Sequence, residues 1–140
     1  MQPSSRVAGL DVGDHRTGVA VSDASLMLAQ PVGIIINKGW SQDIRTLRRM
    51  LEPYIVTRLA LGDPLREDGS PSNQSLKVRA FGEALERAGF EVVYFDERDT
   101  SHEAASLLRS AGKRAGRGQL DAAAAALILQ RWLDQMNKNR

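Results

Sequence analysis

Three carboxylates stand in unusual surroundings, and they are the residues of this chain best suited to do chemistry. Asp11 lies inside the apolar stretch VAGLDV, although aspartate is depleted in β-strands. Glu97 closely follows the apolar stretch EVVYF, and Asp121 lies at the start of the stretch LDAAAAALILQRWL. If the three converge, their oxygen ligands suit Mg²⁺ or Mn²⁺. Two such ions can hold the attacking and the leaving oxygen of a phosphodiester, so the pattern indicates phosphodiester hydrolysis.

Each carboxylate also has an ordinary structural explanation. Asp11 could accept hydrogen bonds from the backbone of the turn that follows it, and Glu97 could lie in a solvated loop. Asp121 could complement the dipole of the helix that it begins, but this would work equally well from the outer face. With about 3.6 residues per turn, Asp121 falls on the apolar line of that helix, which favours a position facing the sheet. That line consists of Ala125, Ile128 and Trp132.

The elements that must position these carboxylates are strands and helices that alternate in the second half of the chain. Strands are predicted at 6–12, 17–22, 31–36, 58–62 and 91–95, the first two as a hairpin. Helices are predicted over 41–54, from the loop at 63–73 to about 88, over 100–112 and over 119–136. Because helices separate the later strands, the crossovers there are parallel. The pattern predicts an α/β fold with a mixed five-stranded sheet and helices on both faces.

Local signals refine the first two helices. Ser41 is predicted to be the N-cap of the first helix, and Gly89 is predicted to end the second. The apolar spacing of the second helix predicts a buried stripe. That stripe consists of Leu76, Ala80, Phe81, Ala84 and Leu85.

Composition narrows the class of protein. The 140 residues fit one domain, predicted here to span 1–140. Cysteine is absent, which excludes disulfides, thiolate zinc sites and cysteine nucleophiles, and the only histidines are His15 and His102. The formal net charge of +2, from 19 basic and 17 acidic residues, does not by itself indicate nucleic acid. No apolar run is long enough for a membrane helix and no signal peptide is visible, so we expect a cytoplasmic protein without membrane contacts.

Four stretches in this order resemble the YqgF family of RuvC-like resolvases: GLDVGDHRTGVAVSD, LALGDPLREDGSPSNQSLKVRAF, FDERDTS and LDAAAAALILQRWLD. The resemblance implies a ribonuclease H-like fold and a metal-dependent nuclease that uses Mg²⁺ or Mn²⁺. It implies a role in maturing the 5′ end of the small-subunit ribosomal RNA precursor, and an earlier label of the family is Holliday junction resolvase. It also implies that Asp11, Glu97 and Asp121 are the catalytic and metal-binding triad, the same residues that the strand and helix patterns select.

Two positions depart from the usual pattern of that family. Asp63 stands where the family has leucine in the motif GLP, and it could be an extra acid of the metal site. We interpret it instead as a loop residue that caps its own turn, because Asp-Pro is common in turns. Asp99 stands where the family has leucine, adds negative charge beside the site, and is interpreted as part of a solvated loop.

Basic residues follow the carboxylates along the chain. The glycine-rich connector GKRAGRG carries Lys113, Arg114 and Arg117 and leads directly to Asp121. Such a segment could hold phosphates near metal ions, although a solvated linker explains its composition equally well. Further phosphate contacts are predicted in the hairpin turn and beside Glu97. The candidate substrate-binding residues are therefore Arg16, Arg98, Lys113, Arg114 and Arg117.

The preferred function is a metal-dependent endonuclease of the ribosomal RNA precursor, and three alternatives remain. A resolvase of branched DNA could use the same site, usually as a two-fold dimer. The stretch DVGDHRTGVAV also resembles the phosphate-binding hairpin of the actin, Hsp70 and hexokinase superfamily, whose members bind nucleotide between two such domains. A non-catalytic RNA-binding or ribosome-assembly factor is the third. We expect a monomer or a weak homodimer. We interpret Gly9 and Gly13 as positions that leave room for phosphate and metal to come close.

Overall fold

A computed structural model describes residues 5–97 and 117–139 of the chain. The strands are β1 (Arg6–Val12), β2 (Arg16–Ser22), β3 (Ala29–Ile36), β4 (Val56–Asp63) and β5 (Glu91–Asp96). The helices are α1 (Trp40–Leu51), α2 (Asn73–Arg87) and α3 (Arg117–Lys138). The helix predicted over 100–112 and most of the basic connector lie outside the described residues. None of the helices in the described part is long and apolar enough to cross a membrane.

The five strands form one mixed sheet in the order β3-β2-β1-β4-β5. The hairpin strand β2 runs antiparallel to both β1 and β3, whereas β4 runs parallel to β1 and to β5. The predicted α/β fold with a mixed five-stranded sheet is therefore confirmed. The carboxyl ends of β1, β4 and β5 meet at one edge of the sheet, here called the carboxyl edge. Open α/β sheets bind their ligands at this edge.

The two faces of the sheet carry separate apolar clusters, because successive strand residues point to opposite sides. Leu10 of β1 packs with Leu47 of α1 and Leu85 of α2 on one face. Val7 of β1 packs with Leu129 and Leu133 of α3 on the other face. Helices therefore cover both faces, as predicted, and α3 is the described helix that packs on its side of the sheet.

A glycine brings α3 close to the sheet. A Cβ atom at Gly9 would lie 2.6 Å from the Cβ of Leu129 and 3.0 Å from the carbonyl oxygen of Ala125. A Cβ at Gly13 would meet the carbonyl oxygen of Arg16 within the hairpin turn, at 2.5 Å. The two glycines do allow a close approach, but the approaching groups are protein atoms, from α3 at Gly9 and from the hairpin turn at Gly13, rather than the predicted phosphate and metal.

The predicted ends of the first two helices are correct only in part. The first helix begins one residue before Ser41, with Gly39 at its N-cap, so the predicted Ser41 cap is wrong. Gly39 has φ 133°, a conformation that other residues rarely adopt. The second helix ends as predicted, because Gly89 with φ 105° follows its C-cap. Leu76 is 58% exposed rather than buried, since Ser75 and Val78 face the core in its place.

Candidate active site

Asp11 lies between two glycines on the α3 face of the sheet, near the carboxyl edge. Gly18 of β2 is its antiparallel partner. On the other side Leu10 pairs with Leu61, so the next residue of β4, Gly62, lies beside Asp11. Two neighbours without side chains thus flank one carboxylate, and we call Gly18, Asp11 and Gly62 the glycine-flanked row.

The first turn of α3 lies directly on Gly18. A Cβ atom at Gly18 would overlap the carbonyl oxygen of Asp121, so only glycine lets the helix start this close to β2. The side chain of Asp121 is held by Arg16, whose Nε lies 3.0 Å from Asp121 Oδ2. The register of the hairpin and the start of α3 therefore bring Asp121 next to Asp11, as the apolar line of the helix predicts.

The carboxylate of Glu97 lies over the second glycine of the row. A Cβ atom at Gly62 would lie 2.5 Å from Glu97 Oε1 and 2.8 Å from Ile128 Cδ1. The backbone N–H of Glu97 donates a 3.1 Å hydrogen bond to the carbonyl oxygen of Asp63, which ties this residue to the end of β4. Glu97 is therefore placed between the sheet and α3, on the same face as Asp11.

The carboxylates of the site repel one another. Burial, with a smaller contribution from the nearby negative charge of Asp121, raises the pKa of Asp11 to about 6. Burial likewise raises the pKa of Glu97 to about 8, with smaller contributions from Asp11, Asp63 and Asp96. The charge of Asp121 therefore acts on Asp11 and the charge of Asp11 acts on Glu97, so the three predicted site residues lie close enough to interact electrostatically. Their catalytic roles stay a prediction.

The donor set suits a divalent cation in its chemistry, although the side chains do not yet form a cage. Within residues 5–97 and 117–139, no three acidic or histidine side chains lie close enough together to hold one metal ion. The carboxylates are nevertheless all-oxygen donors whose mutual repulsion a cation would relieve. Asp121 is engaged by Arg16, so it would have to leave that partner to join Asp11 and Glu97. The three carboxylates therefore suit a hard metal ion, which would draw them closer together on binding.

Asp63 does not cap its own turn, and that interpretation is wrong. It is the last residue of β4, is only 3% exposed, and pairs with Arg79 of α2, whose Nη2 lies 3.0 Å from Asp63 Oδ2. Its Oδ1 is buried and accepts no hydrogen bond in the part of the chain that the structure describes. Strand alternation places it on the α2 face, opposite to Asp11, yet its charge still raises the pKa of Glu97.

The basic candidates are placed only in part. Arg16 contacts Asp121 and therefore lies at the site. Arg117 is the first residue of α3. The remaining candidates, Arg98, Lys113 and Arg114, lie outside the described residues, as does Asp99.

The sequence analysis did not single out Gly18 or Gly62. An isolated glycine within a strand often marks a place where another backbone or side chain comes close. The signal was therefore present in both strands, but it does not say which distant segment makes the approach.

Known proteins resemble this chain over almost its whole length. A family model described as "RuvX: Holliday junction resolvase" matches residues 5–135. A protein of Anaeromyxobacter dehalogenans named "Putative pre-16S rRNA nuclease" is 42% identical over 133 residues, which are 93% of this chain and 97% of that protein. A protein of Syntrophus aciditrophicus with the same name is 38% identical over 138 residues, covering 96% of this chain and 92% of the relative.

Two solved structures resemble the chain in fold. The RuvC of T. thermophilus in complex with a Holliday junction substrate has a TM-score of 0.55 at 17% identity, over 95% of this chain and 96% of that one. The Fowlpox virus resolvase in complex with Holliday junction DNA has a TM-score of 0.53 at 14% identity, over 94% of this chain and 98% of that one. At these identities the likeness is one of fold.

Proposed function

Because the chain belongs to the RuvX family, which is also called YqgF, we propose that it is a metal-dependent endonuclease of structured nucleic acid. The family membership and the ribonuclease H-like fold of RuvC-like resolvases agree with the resemblance found in the sequence. The family membership favours a nuclease over the alternative of a nucleotide-binding ATPase. The observation that carries the proposal is the glycine-flanked row, in which Gly62 admits the carboxylate of Glu97 and Gly18 admits the backbone of Asp121 beside Asp11.

The favoured substrate is the precursor of the small-subunit ribosomal RNA, cut near its 5′ end. The support is the name shared by relatives of about 40% identity that match almost the whole chain. The protein then acts in the cytoplasm, as a monomer or a weak homodimer. Arg16 and the basic residues that precede Asp121 in the sequence are the proposed contacts with phosphates.

Asp11, Glu97 and Asp121 are the residues that would hold Mg²⁺ or Mn²⁺. When bound, such an ion activates water and stabilises the developing charge of a phosphodiester under attack. Asp11 lies in the middle of the row, between the residues that would supply the other ligands. Burial raises the pKa of Glu97 to about 8, so Glu97 holds a proton at neutral pH and would have to release it to bind a cation. Arg16 pairs with Asp121 and would be free to contact a phosphate if Asp121 turned to a cation.

A cleavage assay tests the proposal. Wild-type protein and the Asp11→Asn variant are incubated with Mg²⁺ or Mn²⁺ and either a 5′ precursor of small-subunit ribosomal RNA or junction DNA. We expect the variant to cleave the RNA about a thousandfold more slowly, the equivalent of about 4 kcal/mol of lost transition-state stabilisation. Asp134→Asn is the matched control, because Asp134 is an exposed acid of α3 that bonds to Gln130 at 2.9 Å. If wild type cuts neither substrate faster than Asp11→Asn, the nuclease proposal is wrong.

The second candidate substrate is branched DNA. It is favoured by the two resolvases of similar fold, each solved with a Holliday junction. Symmetric resolution of a four-way junction usually requires a two-fold dimer. Sedimentation with and without junction DNA, together with mapping of the two cuts, separates this candidate from the first. RNA binding that persists without any metal-dependent cleavage would favour a non-catalytic assembly factor.

A further inference from the structure

A second concave site lies at the carboxyl edge, on the opposite face of the sheet from Asp11. It is a cavity of about 730 Å³ between the start of α1 and the first turns of α2. Val12 at the end of β1 and Phe81 of α2 belong to its apolar lining. Phe81 is only 4% exposed and is part of the core, so this wall is rigid. We call this space the α1/α2 cavity.

Two large apolar side chains of the α1/α2 cavity remain exposed. Trp40, the first residue of α1, is 49% exposed, and Leu76 of α2 is 58% exposed. The apolar spacing of α2 predicts that Leu76 is buried, and instead it lies at this cavity. A lone exposed apolar residue is ordinary, but two that line the same cavity leave an apolar surface uncovered.

The polar lining of the cavity contains an acceptor with unused capacity. Asp43 lines the cavity, is only 6% exposed, and accepts a 2.9 Å hydrogen bond at Oδ1 from the backbone N–H of Lys38. No other hydrogen bond to this carboxylate comes from residues 5–97 or 117–139. Asn37, by contrast, is engaged at both ends: it donates to the Gly13 carbonyl oxygen and accepts from Thr17 Oγ1. A ligand that contacts this carboxylate would therefore need N–H or O–H donors.

We propose that the α1/α2 cavity binds one unstacked nucleobase of the substrate strand, stacked on Trp40 and hydrogen-bonded through its N–H groups to Asp43. An exposed indole beside an apolar wall is the platform on which single-stranded bases stack. A carboxylate accepts from adjacent ring and amino N–H groups, and guanine presents both on one edge. Guanine is therefore the expected best ligand.

The hairpin turn connects residues of the cavity lining to residues of the candidate active site. Val12 and Gly13 line the cavity and directly follow Asp11, and Arg16 at the other end of the turn contacts Asp121. A nucleic-acid strand that crosses the carboxyl edge can therefore present a phosphate to the carboxylates and a neighbouring base to the cavity. Lys77 also lines the cavity, and its 2.8 Å ion pair with Asp14 is exposed, so a phosphate can compete for it. The inference rests on the proposed function, because it assumes a nucleic-acid substrate.

Binding without cleavage tests the base site separately from catalysis. Single-stranded RNAs of one length that differ at one position, which carries guanine, adenine, uracil or no base, are titrated in EDTA and followed by fluorescence anisotropy. We expect the guanine strand to bind best and the abasic strand worst. Trp40→Ala should weaken the guanine strand about 5- to 150-fold, the factor for a stacking loss of about 1–3 kcal/mol, and should abolish the difference from the abasic strand. Ile55→Ala is the matched control, because Ile55 is 51% exposed and lies outside the cavity lining.

Two further measurements assign the contacts. Trp132→Phe leaves Trp40 as the only tryptophan, so quenching by guanine strands and not by abasic strands reports stacking there. Asp43→Asn keeps an acceptor for Lys38 and should reduce the preference for guanine over uracil without loss of folding. Equal binding of the guanine and abasic strands, or unchanged binding by Trp40→Ala, would overturn the base site even if cleavage is observed. Base-dependent binding with no cleavage would overturn the nuclease proposal and leave the base site standing.

Discussion

The backbone carbonyl of Asp121 occupies the space that a side chain at Gly18 would need. This contact sets the height at which α3 begins above the sheet, and Gly18 is the cross-strand partner of Asp11. Gly18→Ala should therefore push the first turn of α3 outward and move Asp121 away from Asp11. We expect the free energy of unfolding to fall by about 1–3 kcal/mol, as at other overpacked sites. We expect the cleavage rate to fall by a larger fraction than the stability.

Urea unfolding and the cleavage rate of Gly18→Ala check this expectation. Gly33→Ala is the control, because a Cβ there would lie 3.2 Å from Cε of Met50, the flexible end of a side chain. Unchanged cleavage in Gly18→Ala would show that the position of Asp121 does not matter for the reaction.

A substitution at Gly62 should affect the cleavage rate more than the stability of the protein. A Cβ atom at this position would displace the carboxylate of Glu97, which is a side-chain end, and would touch Cδ1 of Ile128. Gly62→Ala should thus reduce cleavage at least tenfold while lowering the free energy of unfolding by only about 1 kcal/mol. A variant that loses several kcal/mol of stability and keeps its rate would contradict this role of Glu97.

The raised pKa of Glu97 predicts a stability that depends on pH. In the absence of a cation the folded protein keeps the Glu97 proton up to about pH 8, whereas the unfolded chain releases it near its ordinary value of 4.5. The contribution of the Glu97 proton to the free energy of unfolding is therefore complete below about pH 4.5 and is lost as the pH rises towards 8. At pH 8.5 the free energy of unfolding of Glu97→Gln should exceed that of wild type by at least about 1.4 kcal/mol, which is the equivalent of one pKa unit. At low pH the two proteins should be equally stable.

Urea unfolding in EDTA between pH 4.5 and 8.5 measures that difference. Asp11, whose pKa is raised from 3.8 to about 6, contributes in the same direction over its own lower range in both proteins. Glu52→Gln serves as the control, since Glu52 is an exposed acid at the end of α1. A gap that stays constant across the pH range would show that Glu97 does not titrate as proposed.

Divalent cations should stabilise the folded protein through the same carboxylates. At pH 7.5 a saturating concentration of Mn²⁺ should raise the melting temperature by several degrees, because the ion binds the folded state and relieves the repulsion among the acids. The increase should shrink at pH 5, where protons compete with the metal for Asp11 and Glu97. Differential scanning fluorimetry with wild type and Asp11→Asn measures this, and an equal increase in the variant would place the ion elsewhere.

Much of the fold follows from short-range patterns. The alternation along RVAGLDV places Leu10 and Asp11 on opposite faces, and each lies where the alternation predicts. The position of Asp121 on the inner line of α3 follows equally from the helical repeat. The start of α1 and the exposure of Leu76 were not predicted, because loop geometry and the packing of a whole helix against the sheet decide them.

The sequence by itself determines the order of the described strands and helices, the faces of β1 and α3 on which Asp11 and Asp121 lie, and the family, because periodicity and motifs are local properties of the chain. Only the tertiary structure decides that Gly18 and Gly62 flank Asp11, since strand register joins residues far apart in sequence. It also decides that Asp63 pairs with Arg79 on the opposite face. The same register places glycines where Asp121 and Glu97 must approach, so the charge of Asp121 acts on Asp11 and the charge of Asp11 acts on Glu97.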